Sequence, residues 1–435
     1  MFHSRNPIYR NPTGAVQAHT NIHFKLLVPR EFRCSAARLM VGEEFTKQVK
    51  TLGLFWCGMN GEDHEWWECD FTPEQSGLYF YRFEIDTWRG TLGITSRFGG
   101  ESGIDEFGAP EGECWQLTVF ESQYQIPDWL SGGIMYQIFP DRFYRSGTTK
   151  YNVPQDRYLH QRWGSQPEWR PNHQGEITNS DYFGGDLEGI IQKLDYLQSL
   201  GITCIYLNPI FEAHSNHRYD TADYTKVDPL LGTKEDFKRL CKEANKRGMH
   251  IMLDGVFNHT GSDSIYFNRK GRYQTLGAYQ SQESPYYDWY QFYQWPEQYA
   301  CWWNFETLPN VNETNETYNA YINGTDGVIQ TWLKAGADGW RLDVADELPD
   351  LFLDDITKAA KQVKPTSMIL GEVWEDASNK MAYGQRRRYL LGKQLDSVMN
   401  YPFREAIIGF LTGKNPAEMM ELIMTVLEHY PPSAI

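Results

Sequence analysis

No run in this sequence approaches the roughly 18 consecutive apolar residues of a membrane-spanning helix. Positive charge is also in short supply: 41 Lys plus Arg face 57 Asp plus Glu, a net charge of −16. That balance argues against nucleic acid and against an anionic membrane surface as partners. Cysteine is sparse, with 7 in 435 residues, an odd number with no Cys-x-x-Cys pair and no His partner at metal spacing. A small disulfide scaffold is thereby excluded, and the cysteines are expected to be mostly buried free thiols. The first ten residues (MFHSRNPIYR) show no apolar core behind a basic stretch, the pattern of a secretory signal. Reduced thiols and the missing signal point to a cytoplasmic protein. Internal repeats and low-complexity tracts are absent as well.

Aromatic residues, by contrast, are abundant: 15 Trp, 27 Tyr and 23 Phe, 15% of the chain. They serve as bulky core filler, but each also offers a flat apolar face with a polar edge or tip. Such faces suit sugar rings, whose C–H surfaces are apolar and whose edges are hydroxyls.

The length suggests roughly two or three domains. Residues 20–29 (TNIHFKLLVP), 77–85 (GLYFYRFEI) and 114–120 (CWQLTVF) alternate as strands with one buried face, punctuated by turn residues. Residues 1–124 are therefore expected to form a β-sandwich, with 125–133 (QIPDWLSGG) as linker. From residue 134 the rhythm changes to short, continuously apolar strands at 134–139, 202–207, 250–256, 339–344, 368–373 and 395–399, separated by helical patterns. Leu187, Ile190, Ile191, Leu194, Leu197 and Leu200 repeat at helical spacing, with Gly201 at the stop. Thr233 and Asp236 match an N-cap and its third helical position, and basic residues precede Gly248. The fold class is α/β, with residues 134–435 forming a TIM-type (β/α)8 barrel. One connection, 257–327, is far longer than an ordinary βα loop and leaves the third strand at its C-terminal end, where barrel enzymes carry their active sites.

Three strand ends turn polar where a buried strand should stay apolar: 254–259 (DGVFNH), 339–347 (GWRLDVADE) and 371–374 (GEVW). Arg341 and Asp343, two apart, point to one side of a strand. Taken singly, each carboxylate reads equally well as an N-cap or a structural ion pair. Three in consecutive βα units favour one polar centre at a barrel mouth. Retaining glycoside hydrolysis needs such a kit: a nucleophilic carboxylate and a carboxylic acid about 5 Å apart. Asp343 beside Arg341 is expected to titrate low and stay ionised, whereas Glu372, flanked by Val373 and Trp374, is expected to titrate high and donate a proton.

In order and spacing these motifs resemble the first three signature regions of the α-amylase family, glycoside hydrolase family 13. The resemblance implies Asp343 as nucleophile, Glu372 as acid/base and Arg341 as the residue orienting the nucleophile. It implies that Asp254 and Asn258 brace the site, that His259 binds the sugar, and that His217 and Tyr219, in 217–224 (HRYDTADY), line it with Tyr219 stacked under the ring. Trp374 and Glu347 join the expected substrate-binding set. Residues 136–143 (YQIFPDRF) and 184–187 (GGDL) match too. LPNVN at 308–312 and DSVMNYPF at 396–403 are similar to the neopullulanase and cyclomaltodextrinase branch, with Asp346 where Asn is usual.

That resemblance implies an α-glucan substrate (starch, maltodextrin, cyclodextrin or pullulan) cleaved at α-1,4 and α-1,6 bonds, and a homodimer through the N-terminal domain. Transfer by a 4-α-glucanotransferase and glucan binding without turnover are the alternatives. Calcium is common among relatives, and Gly184 and Asp186 fit one such site. Residues 144–151 (YRSGTTKY) lack the Asn/Asp set, and Glu347 stands where a ligand His would follow the nucleophile. No metal and no cofactor are therefore expected. The family's fourth region, a His-Asp pair on the seventh strand, is missing, so the expectation is a barrel incomplete at its C-terminus, with strands 7 and 8 absent.

Overall fold

The computed structural model describes residues 1–105, 113–124, 126–175 and 177–435. Gln125, first residue of the expected linker, lies outside the described residues. Contacts divide the chain into two compact units, Met1–Gln125 with Val373–Ile435, and Ile126–Glu372. The last 63 residues, read from the sequence as part of the barrel domain, thus group with the N-terminal segment.

In the first unit, strict alternation of buried and partly buried positions along Ile22–Pro29 makes one face a core face. That strand pairs antiparallel with His64–Phe71, and Ala36–Glu43 pairs antiparallel with Gly77–Thr87. The long Val49–Asn60 strand joins the two sheets, pairing with Ala36–Glu43 through its first half and with His64–Phe71 through its second, with a bulge at Cys57. Between the sheets Phe2, Phe24, Tyr81, Phe83 and Trp115 pack ring against ring, with Tyr81 stacked on Trp115 at 5.6 Å. This is the expected β-sandwich, and aromatic rings fill part of its core. Ser397–Val398 forms a two-residue strand inside the expected 395–399, followed by helices Tyr401–Leu411 and Pro416–His429.

The second unit contains parallel strands Met135–Ile138, Cys204–Leu207, His250–Gly255, Gly339–Leu342 and Met368–Gly371, each hydrogen-bonded to the next in chain order. Spatial order following chain order is the arrangement of a (β/α)8 barrel; a doubly wound sheet would reverse direction at a switch point. The last four of these strands are buried almost throughout, which is why they read as continuous apolar runs. Between them, helix Lys234–Asn245 starts on the expected capping box, Thr233 Oγ1 accepting from Asp236 N at 3.2 Å and Asp236 Oδ2 accepting from Thr233 N at 2.9 Å. The 187–200 pattern forms two short helices, Leu187–Gln192 and Leu194–Ser199. Gly201 after them has φ +75°, the left-handed stop that glycine tolerates.

The long connection is packed rather than loose. It holds a hairpin of Phe292–Gln294 with Gln298–Tyr299 and helix Glu316–Asn323. Phe267 sits against Tyr279, Tyr290, Phe292 and Tyr299, and Trp289 against Tyr266, Tyr286, Tyr318 and Tyr321. Among the described residues no helix is long and apolar enough to cross a membrane. All seven cysteines are free thiols, with Cys69, Cys204 and Cys241 buried, Cys34, Cys114 and Cys301 half-buried, and Cys57 exposed. The expectation of free thiols holds, whereas that of mostly buried ones holds fully for only three of the seven.

Candidate active site

Parallel register brings the polar strand ends together. Asp254 pairs with Arg341 across the ladder, Asp343 N donates to Gly255 O at 3.1 Å, and Glu372 N donates to Leu342 O at 3.0 Å. The four side chains thus emerge from the C-terminal ends of three adjacent strands. Arg341 holds them: Nη1 donates to Asp254 Oδ1 at 2.9 Å and Asp343 Oδ1 at 2.7 Å, and Nη2 lies 2.8 Å from Glu372 Oε1. Arg341 is 4% exposed, Asp343 7% and Asp254 1%.

Arg341 faces three carboxylates in a largely buried site, so full ionisation would crowd negative charge there. Burial first, then the charges of Asp254 and Glu372, push Asp343 up to about 8, more than Arg341 pulls it down. Burial likewise raises Asp254 above the usual carboxylate range, against the pull of Arg341. This corrects the expectation that Asp343 titrates low. Sequence adjacency showed the arginine two residues away but not the two carboxylates converging from neighbouring strands.

Val344 follows Asp343 in the left-handed region, φ 41° and ψ 56°, an uncommon conformation for a β-branched residue. The twist turns its N–H onto Glu372 Oε2 at 2.8 Å. It also opens the short 3-10 turn Ala345–Glu347, leaving Glu347 half-buried.

Two hydroxyls, one from a neighbouring strand and one from the loop before Thr221–Val227, complete the cluster. Tyr206 Oη donates to Asp254 Oδ2 at 2.5 Å and Tyr219 Oη donates to the same oxygen at 3.0 Å, while Asn208 Nδ2 donates to Tyr219 Oη at 3.0 Å. Tyr206 and Asn208 are participants that the sequence reading missed. The signal was there in CIYLN, where two polar tips two residues apart end a buried strand. His217 lies 5.9 Å from Tyr219 between ring centroids, and its Nδ1 accepts from Tyr219 N at 3.1 Å. Burial lowers its basicity. Asn258 bonds His259 Nδ1 through Nδ2 at 3.2 Å and accepts from Asn310 Nδ2 at 3.3 Å. Burial depresses His259 to about 4, so its imidazole is neutral. Asp254, Arg341, Asp343, Glu372 and Tyr219 are thus joined by direct contacts, with His217 beside Tyr219 and Asn258 and His259 paired to each other. Trp374, two residues beyond Glu372 and in the other compact unit, is 44% exposed.

The stretch considered for calcium does not fit a metal. Asp186 accepts from Gly189 N at 2.7 Å as the cap of its helix and from Ser146 Oγ at 2.6 Å, and Lys150 Nζ sits 2.7 Å from its Oδ2. Gly184 contributes an N–H, donated to Asp141 Oδ1 at 3.0 Å. A hard cation needs several oxygen ligands, whereas here an ammonium already neutralises the buried carboxylate. Among the described residues no group of three or more His, Cys, Asp or Glu is arranged to hold a metal ion.

Comparison with known proteins agrees with this geometry. The model of the alpha amylase catalytic domain matches residues 137–431. The amylopullulanase of Thermoanaerobacterium saccharolyticum is 36% identical over 475 residues, covering 98% of this chain and 36% of that protein. Neopullulanase 2 of Thermoactinomyces vulgaris is 35% identical over 338 residues, covering 75% of this chain and 52% of its own. The chain therefore spans between about a third and a half of these two relatives. Among solved structures, the type III pullulan hydrolase from Thermococcus kodakarensis superposes with a TM-score of 0.59 at 29% identity, covering 99% of this chain and 70% of that one. With its sandwich, its chain-ordered parallel strands and its carboxylates gathered on one arginine, this chain belongs to the α-amylase family.

Proposed function

We propose that this chain carries the catalytic centre of an α-glucan hydrolase that cleaves α-1,4 and α-1,6 glucosidic bonds with retention. The observation that carries the reading is the single guanidinium of Arg341 gripping both Asp343 and Glu372. Two carboxyls on one guanidinium are near neighbours, as the about 5 Å pair of a retaining enzyme must be. In the first step an Asp343 carboxylate oxygen attacks the anomeric carbon. The glycosidic C–O bond breaks, and the leaving oxygen takes a proton from Glu372. In the second, Glu372 removes a proton from water, whose oxygen attacks the same carbon and releases Asp343. Retention needs one proton and one negative charge on the pair, and crowding three carboxylates on one cation favours holding a proton among them. Asp254 keeps Arg341 and Tyr219 in place. His259, neutral and with Nε2 unpartnered, offers a donor to a sugar hydroxyl.

The amylopullulanase and neopullulanase names of its relatives support the mixed linkage preference. A glucan chain is the only substrate class this reading requires. We further infer that the centre works without calcium, because Lys150 already balances Asp186. Cytoplasmic placement is supported by seven unpaired thiols and by a relative named intracellular maltogenic amylase in Bacillus subtilis. A homodimer through residues 1–124 is supported by the exposed Phe55, Trp56 and Met59 on one sandwich strand; sedimentation velocity tests it. The deciding experiment for the activity follows maltoheptaose and pullulan by reducing-sugar release and proton NMR of the first product. Release of the α-anomer supports the reading. Release of the β-anomer, or binding without release, sinks it, and longer oligosaccharides at high maltotriose would mean transfer.

A further inference from the structure

Strand His250–Gly255 runs out just before Asn258 and His259, at the start of the long connection. Residues 256–259 are all buried, none more than 2% exposed. Their four carbonyls lie beyond the strand ladder, and a buried carbonyl without a partner is costly. All four are met. Tyr224 Oη donates to Val256 O at 2.5 Å and stands 3.3 Å from His259 O, Tyr318 Oη donates to Phe257 O at 2.8 Å, and Val311 N donates to Asn258 O at 3.1 Å. Two phenol hydroxyls therefore reach three of the four carbonyls.

Packing holds both tyrosines in place. Tyr224 stands on strand Thr221–Val227, its ring 5.7 Å from that of Phe257 and its carbonyl accepting from Trp332 Nε1 at 2.8 Å. Tyr318 stands on helix Glu316–Asn323 inside the long connection. Asn315 Oδ1 caps that helix, accepting from Thr317 N at 3.0 Å and Tyr318 N at 3.1 Å, and the Tyr318 ring packs on Trp289 and Phe352 with centroids 5.1 and 6.0 Å away. Both tyrosines are 0% exposed, and burial raises both hydroxyls well above the ordinary phenol range, so they remain O–H donors. A backbone N–H could satisfy a carbonyl equally well. Phenols on the consecutive carbonyls of Val256 and Phe257 do more, because a ring locked by packing holds its hydroxyl at a fixed point and so orients two successive planar peptides. The next side chains along the chain are those of Asn258 and His259.

We propose that Tyr318 and Tyr224 are positioning residues of the reaction: their hydroxyls fix the backbone of 256–259 and thereby aim His259 at the sugar. The long connection then contributes to catalysis through helix Glu316–Asn323, which carries Tyr318. This rests on the α-glucan reading above, in which His259 touches the substrate, and adds to it the groups that place that histidine.

The test is a double-mutant cycle read by reducing-sugar release from maltoheptaose. Tyr318→Phe and Tyr224→Phe keep the ring and remove only the hydroxyl. Each is expected to lower kcat/KM about tenfold, mostly through kcat, but only about twofold or less once His259→Ala is present, because the residue acted upon is gone. Tyr321→Phe is the control. Its hydroxyl bonds that of Tyr266 at 2.8 Å in the same aromatic cluster, so its loss should lower the thermal midpoint without lowering kcat/KM. Calorimetric scans establish that each variant is folded at the assay temperature, and either tyrosine suffices to close the cycle. Unchanged kcat/KM in both variants, or the same fold-loss with and without His259, overturns the positioning role while leaving the hydrolase reading intact. If the unmodified protein releases no reducing sugar, the α-glucan reading itself fails and this role with it.

Discussion

The backbone N–H of Val344 donates to Glu372 Oε2 at 2.8 Å from a residue held at φ 41°. A valine in the left-handed region stores strain that the neighbouring strands must impose, and the return is a fixed carboxyl beside the nucleophile. Glycine adopts this conformation freely and keeps the N–H, whereas proline can do neither. Val344→Gly is expected to retain kcat within about tenfold. Val344→Pro is expected to lose about 10- to 100-fold or more, the worth of a hydrogen bond to a charged group. Steady-state kinetics on maltoheptaose decide it, and equal rates for the two variants would refute the role given to that N–H.

The two carboxyls are distinguishable by their dependence on the leaving group. Glu372→Gln removes the proton donor, a loss of about 10²- to 10⁴-fold on maltoheptaose, but an aryl α-glucoside with an acidic phenol leaves without protonation and should lose far less at the first step. Asp343→Asn removes the bond-forming oxygen and should fail on both substrates. Burst kinetics with a nitrophenyl glucoside separate the cases, and the opposite pattern would exchange the roles.

Stability should carry the signature of Asp343. Its native value of about 8 stands above its ordinary 3.8, so between these values the native state binds a proton that the unfolded state does not. Stability from this group is therefore fully present below about pH 4 and is lost as pH rises through 8. Asn never ionises, so Asp343→Asn should gain thermal midpoint relative to the unmodified protein on going from pH 5 to pH 8.5. Calorimetric scans at the two pH values measure the difference, and a constant offset would contradict the upward shift.

Lys150 and Asp186 form an ion pair with side chains 17% and 1% exposed. Unpairing a carboxylate this buried is costly, so Lys150→Ala should lower the thermal midpoint by several degrees. Added calcium should not restore it, and a chelator should leave the unmodified protein unchanged. A chelator-induced drop would show that a metal belongs at this site after all.

Much of this molecule is determined locally and is readable in the chain. Alternation at 20–29, apolar runs at 202–207 and 250–256, the Thr233/Asp236 box and the stop at Gly201 each depend on neighbours a few residues apart. Their elements form where expected. The polar strand ends at Asp254, Arg341, Asp343 and Glu372 were legible for the same reason, because a carboxylate ending a buried strand conflicts with the local pattern. Tertiary structure alone decided how these groups act on one another. Parallel register placed Asp254 and Glu372 on the same guanidinium as Asp343, which reversed the direction of its titration. It put Tyr206 and Asn208 within reach of Asp254, and Lys150 on Asp186. Long-range register and the electrostatics of burial depend on residues tens of positions apart, and no local spacing encodes the distances over which charges are summed.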